Sequence, residues 1–209
     1  MSVSAAENEA PRFRTFLSRD PRPYYGPELR PHFLLTEFGL RGSALGAFIG
    51  PCRVETEHLV DWEDRLAFDR IEAASMVHFI GEFFGENLAQ GVLRQRLFMA
   101  TLGQSIQERL RAKEAELRGA FSAGDFVMRD GDDLFVRGRK LSVSIVTASP
   151  VSLVLHAGIN IDPAGAPVPA IGLAELGIEP REWAADVLLR FAREWDSIEW
   201  ACAKVRPVV

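Results

Sequence analysis

The chain has 209 residues, of which 47% are hydrophobic and 25% charged, the composition of a globular protein rather than of a disordered one. Its formal net charge of −5 is spread over both halves without a basic block, which argues against nucleic acid as a partner because phosphates are bound by clustered Lys and Arg. No apolar run reaches the roughly 20 residues of a membrane-spanning helix, so no membrane association is expected.

The N-terminal residues predict a location and a domain boundary. Residues 1–11 are small, polar and acidic, and they lack the basic and hydrophobic regions of a signal peptide. We therefore expect a cytoplasmic protein. Residues 1–31 are rich in Pro and Arg and are predicted to form an irregular lead-in, followed by a single domain over residues 32–209.

The first half of that domain alternates between predicted strands and helices. Apolar runs at 33–40 and 44–49 contain or precede glycines and predict two short strands. The pattern over 55–71 predicts a helix, and the apolar and aromatic run 76–84 predicts a buried strand. From 88 to 117 apolar residues recur at helical spacing, which predicts the longest helix of the chain.

The second half predicts strands at 134–136, 141–146 and 151–161, with a turn at residues 137–139 between the first two. A loop at 163–169 and an amphipathic helix from 181 to about 204 follow. This order indicates an α+β protein with a mixed, mainly antiparallel sheet and helices packed on it.

Polar side chains alternate with apolar ones along the two longest strands of the second half. Leu141, Val143 and Ile145 share one face of the first strand. The polar residues that face away from the two apolar sets are Lys140, Ser142, Ser144, His156, Gly158 and Asn160. Burying both apolar sets together requires even positions to pair with even positions. A three-residue loop at 147–149 would provide that register and predicts Lys140 opposite His156, whereas a four-residue loop would break it.

Two interpretations of this polar face remain open. It can be the solvated side of an antiparallel sheet, which is the usual environment of a single lysine on a strand. Alternatively, Lys140 can be desolvated and act as a general acid or base, or stay charged and hold a carboxylate or phosphate. Gly158 would then leave room for a ligand near the backbone.

Residues 132–141, Asp-Asp-Leu-Phe-Val-Arg-Gly-Arg-Lys-Leu, resemble the biotin protein ligase segment in which Asn-Asp, apolar residues and a turn precede Gly-Arg-Lys. Residues 156–161, His-Ala-Gly-Ile-Asn-Ile, resemble that family's next strand, Gly-Ile-Gly-Ile-Asn-Val. Lipoyl and octanoyl transferases have a similar Lys strand and His-Gly strand. The whole chain resembles a prokaryotic family assigned to this superfamily, the domain of unknown function 366 family.

The resemblance implies a biotin/lipoyl ligase-like fold, related to class II aminoacyl-tRNA synthetases, with helices packed on one side of the sheet. It implies a ligase- or acyltransferase-like activity on a small carboxylic acid, or on its activated adenylate or thioester form. Lys140 would contact the carboxyl group or the phosphate, with His156 as the second catalytic residue. The residues implied to bind substrate are Ser142, Ser144, Gly158, Asn160 and Asp133. A ligase would require ATP with Mg²⁺, and a protein could be the acceptor.

The chain also departs from these families. The ligases carry a Gly-Arg-rich loop that folds over the adenylate, which is missing here, and Ala170 stands where octanoyl transferases have a nucleophilic Cys after Pro. These departures support an alternative, a non-catalytic small-molecule binding protein that retains the pocket. A third, weaker possibility is a synthetase-like paralogue that handles an amino acid.

A few residues outside the strand pair are further candidates. Cys52 is a possible nucleophile, although a buried, inert Cys is more common. Arg94 and Arg96 could bind a substrate phosphate or carboxylate near a helix start, although a surface helix is the default interpretation. His58 and His78 are more typical of core or surface histidines than of metal ligands. Carboxylates at 55–64 favour a solvated helix face over a metal site, and no metal is expected.

Overall fold

The computed structural model describes residues 12–116 and 126–208. The elements, in chain order, are β1 (Arg14–Leu17), α1 (Phe33–Phe38), β2 (Ala44–Val54), α2 (Trp62–Leu66), β3 (Ile71–Phe83), α3 (Leu88–Glu116), β4 (Val127–Asp130), β5 (Asp133–Val136), β6 (Arg139–Lys140), β7 (Ser142–Ala148), β8 (Leu153–Asp162) and α4 (Pro180–Ala203). The expectations for residues 1–11 and for a helix end at Leu117 fall outside the described residues.

Five strands form the main sheet, in the order β1-β2-β3-β8-β7. β1 pairs with β2 in parallel, and the other neighbours are antiparallel. The chain therefore has the expected α+β fold with a mixed, mainly antiparallel sheet and packed helices.

Helices α3 and α4 cover one face of this sheet and form the larger core with it. Leu102, Ile106 and Leu110 repeat every four residues on α3 and are at most 2% exposed, so each contributes about 1.5–3 kcal/mol by burial. On α4, Trp183 packs edge-on against Phe79 of β3, with ring centroids 5.8 Å apart.

The opposite face of the sheet is also covered, which the sequence pattern did not predict. Phe33 and Leu34 of α1 are buried there together with Tyr24, Phe48 and Met76. Because both faces are covered, β8 is buried on both sides from Leu153 to Asn160, like a central strand of a two-sided sheet.

Three expected elements are wrong in the first half of the chain. Residues 33–38 form helix α1 instead of a strand, and the helix ends at Gly39 in the left-handed conformation, with φ 68°. The helix expected over 55–71 is a 3₁₀ turn, Thr56–His58, followed by the five-residue α2. Leu59 is buried, but Trp62 and Leu66 are 69% and 73% exposed, so a continuous helix here would have no apolar face to bury. Residues 14–17, expected within the irregular lead-in, form β1.

A smaller three-stranded sheet, β4-β5-β6, lies before the last two strands. β5 and β6 are joined by Arg137 and Gly138, whose φ angles of 53° and 68° are the two positive values that a type I′ hairpin turn requires. The turn expected at residues 137–139 is thus confirmed.

The register expected for the last two strands is wrong. Ala148 pairs with Leu153, so four residues separate the paired strands, and Ile145 lies opposite His156. Lys140 lies instead in β6, opposite Phe135. The predicted even-to-even pairing assumed that only one face of the sheet is buried. In the structure, Val143 and Ile145 lie on the opposite face from Leu155 and Ala157. This register is favourable because a second apolar layer covers that opposite face.

Candidate functional site

A pocket of about 340 Å³ lies on the sheet face away from α3 and α4, within the size range of small-molecule sites. Its floor includes His156 and Asn160 of β8 and Met76 of β3. One wall is formed by Lys140 and the start of β7, and the other by residues of the β2–β3 connection. The small sheet, the edge of the main sheet and that connection therefore meet around one concave surface.

Lys140 is positioned by its backbone on both sides. Its N–H donates to the carbonyl of Pro169 over 2.9 Å, and its carbonyl accepts from the N–H of Ile171 over 3.0 Å. This parallel bridge to Ala170 adds to the antiparallel pairing with Phe135. The lysine backbone is fixed between two neighbouring segments, while the side chain remains 31% exposed toward the pocket.

The ammonium of Lys140 forms an ion pair with Asp133, with Nζ and Oδ2 2.8 Å apart. Burial raises the pKa of the Asp133 carboxyl, the ion pair with Lys140 lowers it, and the charges of Asp132 and Asp130 raise it further; the balance is a raised pKa. Asp133 therefore gives up its proton less readily than an exposed aspartate despite its lysine partner.

The neighbouring polar residues are mostly occupied by structural hydrogen bonds. Ser142 Oγ accepts from the N–H of Leu134 over 2.8 Å. Ser144 Oγ accepts from Gln95 Nε2 of α3 over 2.8 Å, and Asn160 Nδ2 donates to the carbonyl of Lys140 over 3.3 Å. These residues line the pocket, and their hydrogen bonds hold its wall in place.

A pair of buried histidines lies under the pocket. His78 Nε2 lies 3.2 Å from the carbonyl of Gly50, and His78 Nδ1 lies 3.1 Å from His156 Nε2. Because a carbonyl only accepts, His78 carries its proton on Nε2, and a neutral His78 must accept at Nδ1 from the Nε2–H of His156. A neutral His156 then presents Nδ1 as an acceptor.

Both imidazoles are held in the neutral form. Desolvation lowers the pKa of His78 to about 4, and desolvation with the neighbouring His78 lowers the pKa of His156 well below its usual value. Tyr24 stacks on the His156 ring, with centroids 3.9 Å apart and planes within 10°. The ring lines the pocket, and within the described residues no hydrogen bond reaches its Nδ1.

The β2–β3 connection gives the pocket a strongly acidic side, here called the acidic rim and defined as Asp61, Glu63, Asp64 and Asp69. In the described part of the chain none of these carboxylates forms an ion pair with Lys or Arg. Glu72, Asp132 and Asp133 also line the pocket, against only two cations, Arg70 and Lys140, which pair with Glu72 and Asp133.

Crowding and partial burial affect the acidic rim most at Asp64. Desolvation raises the pKa of its carboxyl, and the charges of Asp61, Asp69 and Asp133 raise it further, while Lys140 lowers it. An arrangement in which carboxylates raise each other's pKa is stabilised by an incoming positive charge.

The sequence matches the family described as "Domain of unknown function (DUF366)" over residues 13–206. The chain belongs to this family. The uncharacterized protein MJ0805 of Methanocaldococcus jannaschii is 29% identical over 198 residues, which cover 91% of this chain and 83% of that protein. A solved structure described as a protein of unknown function from Pyrococcus horikoshi is 34% identical, has a TM-score of 0.81, and covers 94% of this chain and 100% of its own.

A more distant likeness reaches an enzyme of known activity. The biotin protein ligase from Leishmania major, solved in complex with biotin, gives a TM-score of 0.51 at 11% identity, covering 86% of this chain and 72% of the ligase. At this identity the likeness concerns the fold alone. This DUF366 chain therefore has a biotin/lipoyl ligase-like fold.

The structure brings together most of the residues singled out in the sequence. The pocket is lined by Lys140, Asp133, Ser142, Ser144, His156 and Asn160. Gly158 is nearby but is not open to a ligand in the expected way, because a Cβ there would lie 2.8 Å from the Met76 methyl group. The glycine makes room for Met76.

Three other candidates lie elsewhere or act indirectly. Cys52 is 2% exposed and lies outside the pocket, and burial raises the pKa of its thiol to about 12, which is unfavourable for a nucleophile. Arg94 pairs with Glu86 over 2.9 Å and lies 4.1 Å from the Trp195 ring, away from the pocket. Arg96 reaches the pocket only through its 3.3 Å ion pair with Asp132.

His78 is a core histidine, as its sequence context indicated, with 0% exposure, but its contact with His156 was not predicted from the sequence, and neither was the acidic rim. His78 is separated from His156 by 78 positions, and only the pairing of β3 with β8 places the two rings in contact. Asp61 and Asp64 were assigned to a solvated helix face. The sequence pattern does not indicate how the short β2–β3 connection folds, and so it could not predict that these carboxylates line the pocket.

The described residues include neither a metal-binding cluster of side chains nor a membrane-spanning helix. Among them no group of three or more His, Cys, Asp or Glu side chains is arranged to hold a metal ion. Within the same ranges no helix combines the length and the apolar character needed to cross a bilayer.

Proposed function

We propose that this protein acts on a small carboxylic acid, or on an activated acyl derivative of one, bound in the pocket beside Lys140. The observation that carries the proposal is the position of Lys140. Its backbone is held from both sides, its ammonium is ion-paired to Asp133, and it lines a pocket of small-molecule size. The ligase-like fold supports the same class of activity.

The chemistry assigned to Lys140 is electrostatic. A charged ammonium at the pocket wall can orient a carboxyl group and stabilise negative charge that develops on the acyl oxygen during transfer. Asp133 keeps the ammonium in place through the 2.8 Å ion pair. His156 contributes a hydrogen-bond acceptor rather than a general base, because its lowered pKa makes it weakly basic at neutral pH.

The described residues fit an acyl or carboxyl group better than they fit ATP. A ligase of this fold would need ATP with Mg²⁺, which supplies the phosphate that activates the acid. Here the pocket has more carboxylates than cations, an arrangement that repels a triphosphate. We therefore assign no step to ATP and expect an acyl group that is already activated, such as a thioester, to be the better substrate.

One observation favours a second candidate, a small-molecule binding protein without catalysis. The pocket offers no activated nucleophile among the described residues, since Cys52 lies outside it and Ala170 occupies the position of the thiol in octanoyl transferases.

Turnover assays separate these two functions. Acyl thioesters and, in parallel, ATP with carboxylic acids would be tested by acyl transfer and by ATP–pyrophosphate exchange. We expect turnover that is abolished in Lys140→Ala. Arg139→Ala loses only an exposed ion pair with Glu175 and should keep the activity. Ligand-induced stabilisation without turnover would favour the binding protein. ATP–pyrophosphate exchange would contradict the expectation that the acidic pocket repels ATP.

A further inference from the structure

The chemical character of the pocket is more specific than its size, and it selects among carboxylic acids. Apart from Lys140 and Arg70, both already paired, the charged side chains around the pocket are carboxylates. Asn160 Nδ2 and Ser144 Oγ donate to backbone carbonyls, whereas the carboxylates and the neutral His156 ring are hydrogen-bond acceptors. A ligand with only a carboxylate and an alkyl chain would satisfy Lys140 and leave those acceptors unused.

The first of these acceptors is His156. The proton on His78 Nε2 is fixed by the Gly50 carbonyl, and this fixes the proton of His156 on Nε2. His156 is 2% exposed, it lines the pocket, and its Nδ1 has no partner within the described residues. This nitrogen is therefore available to accept a hydrogen bond from the N–H group of a ligand.

The second set of acceptors is the acidic rim on the facing wall. Its four carboxylates form no ion pair with Lys or Arg in the described ranges. Arg65, on the same short helix, donates to the carbonyls of Glu57 and Leu59 instead. The rim and His156 lie on different elements, so the two observations are independent, and both call for a ligand rich in N–H donors.

We propose that the bound acid also carries an ammonium group, whose N–H donors are accepted by the acidic rim and by Nδ1 of His156 while the carboxyl group contacts Lys140. The substrate class is therefore an amino-bearing carboxylic acid rather than a purely anionic fatty acid. This inference rests on the proposed function for the position of the carboxyl group, but not for the charge preference of the pocket.

The test compares matched ligands on the full chain. Straight-chain alkanoates of about three to eight carbons, a range that fits a pocket of this size, would be paired with the ω-aminoalkanoates of equal length. Binding would be measured by isothermal titration calorimetry and by the shift in melting temperature. We expect the amino member of a binding pair to bind about fivefold more tightly or better, the ratio that one or two partly exposed ion pairs provide.

Variants locate that preference. Asp64→Asn should reduce the amino-to-alkanoate affinity ratio by about two- to fivefold, while Asp20→Asn, an exposed aspartate outside the pocket, should leave it unchanged. His156→Phe, which can still stack on Tyr24, should weaken the aminoalkanoate more than the alkanoate. If His156→Phe does not fold, Asp64→Asn on the exposed rim still decides the question.

Each outcome has one meaning. Alkanoates that bind as tightly as their amino partners would overturn the inference, and if that binding depends on Lys140 the proposed function would still stand. An amino preference that persists unchanged in Asp64→Asn and His156→Phe would also overturn it. Failure of all members to bind would overturn the inference, and the turnover assays would then judge the proposed function separately.

Discussion

At the scale of single residues, Lys140 and Asp133 form the centre of the pocket wall, with Nζ and Oδ2 2.8 Å apart. Both side chains are about one-third exposed, 31% and 29%, so the pair is accessible to a ligand but only partly screened by solvent. A carboxylate entering the pocket can share the lysine with Asp133 without large rearrangement. Under the proposed function, this exposure lets the carboxyl group of an acid reach the lysine.

Lys140→Ala is expected to weaken binding of an acidic ligand by about tenfold or more, because a charge-assisted hydrogen bond contributes about 1.5–3 kcal/mol. Titration calorimetry would measure the change. Lys140→Arg should recover part of the affinity, and Arg139→Ala on the same strand should keep all of it. Unchanged affinity in Lys140→Ala would remove the lysine from the site.

The His78–His156 pair predicts how stability depends on pH. In the unfolded chain both imidazoles titrate near their usual pKa, whereas in the fold the pKa of His78 is about 4 and that of His156 is also lowered. The unfolded state therefore binds more protons between these values, and stability falls as pH decreases through that window. For His78 alone the loss is on the order of 2 kcal/mol between about pH 7 and pH 5.

Chemical denaturation at these two pH values would test the histidine pair. His78→Gln should show a smaller loss of stability on acidification than the wild type. His58→Gln, the same substitution at a side chain that is 43% exposed, should retain the wild-type loss. Equal pH dependence in all three proteins would show that the buried pair does not contribute.

At the scale of elements, the segment that follows β8 holds β6 in position. Ala170 bridges to Lys140, and the N–H of Leu173 donates to the carbonyl of Asn160 over 2.8 Å. Between them, Gly172 approaches β8 so closely that a Cβ would lie 2.2 Å from the carbonyl oxygen of Ile161. Only glycine lets this segment contact both strands at once.

Gly172→Ala is therefore expected to displace the segment, to destabilise the fold by about 2 kcal/mol or more, and to weaken ligand binding together with Lys140. Thermal denaturation and ligand titration would measure both effects. Gly103→Ala is the matched control, because a Cβ there would lie 3.2 Å from a Leu134 methyl group rather than against backbone and alanine favours the helix. Comparable stability of the two variants would contradict this role of Gly172.

The β2–β3 connection supplies much of the negative charge around the pocket, which is unfavourable for a phosphate ligand. It carries the acidic rim and has large apolar side chains, Trp62 and Phe68, that are 69% and 84% exposed. Its regular structure is limited to a 3₁₀ turn and a five-residue helix, which is why the helix predicted over 55–71 was wrong. Because these pieces are short, the connection folds so that its carboxylates line the pocket.

The acidic rim also predicts how ligand binding depends on pH. The pKa of Asp64 is raised by burial and by Asp61, Asp69 and Asp133 against the opposing effect of Lys140, and the pKa of Asp133 is raised as well. Protonation removes the charge that attracts an ammonium, so affinity for an aminoalkanoate should fall as pH decreases through these raised pKa values. Calorimetric titrations at several pH values would show it, and Asp64→Asn should show a smaller decrease.

At the scale of the whole molecule, local patterns predicted the elements that are long and buried. β3, α3 and α4 agree with their apolar spacing, because one large core decides their faces. The turn at residues 137–139 was also predicted, since a glycine between two apolar strands indicates a turn, although its type I′ geometry was seen only in the structure. The candidate residues of β6, β7 and β8 were found for the same reason, namely that strands bounded by turns leave a readable pattern.

The parts that failed depended on contacts distant in sequence. The second apolar layer, in which Phe33 and Phe48 pack, covers the face that alternation assigned to solvent, and this changed the register of β7 and β8. His78 joins His156 only through the pairing of β3 with β8. The acidic rim belongs to a connection that has no periodic signal. Such features require the three-dimensional arrangement.

The role of Lys140 is best tested by a crystal structure of the protein with the aminoalkanoate that binds best. We expect the carboxylate within hydrogen-bond distance of Lys140 Nζ and an N–H donor within hydrogen-bond distance of His156 Nδ1 or an acidic-rim carboxylate. A ligand bound outside this pocket, or bound within it without contact to Lys140, would show that the lysine does not bind the acid.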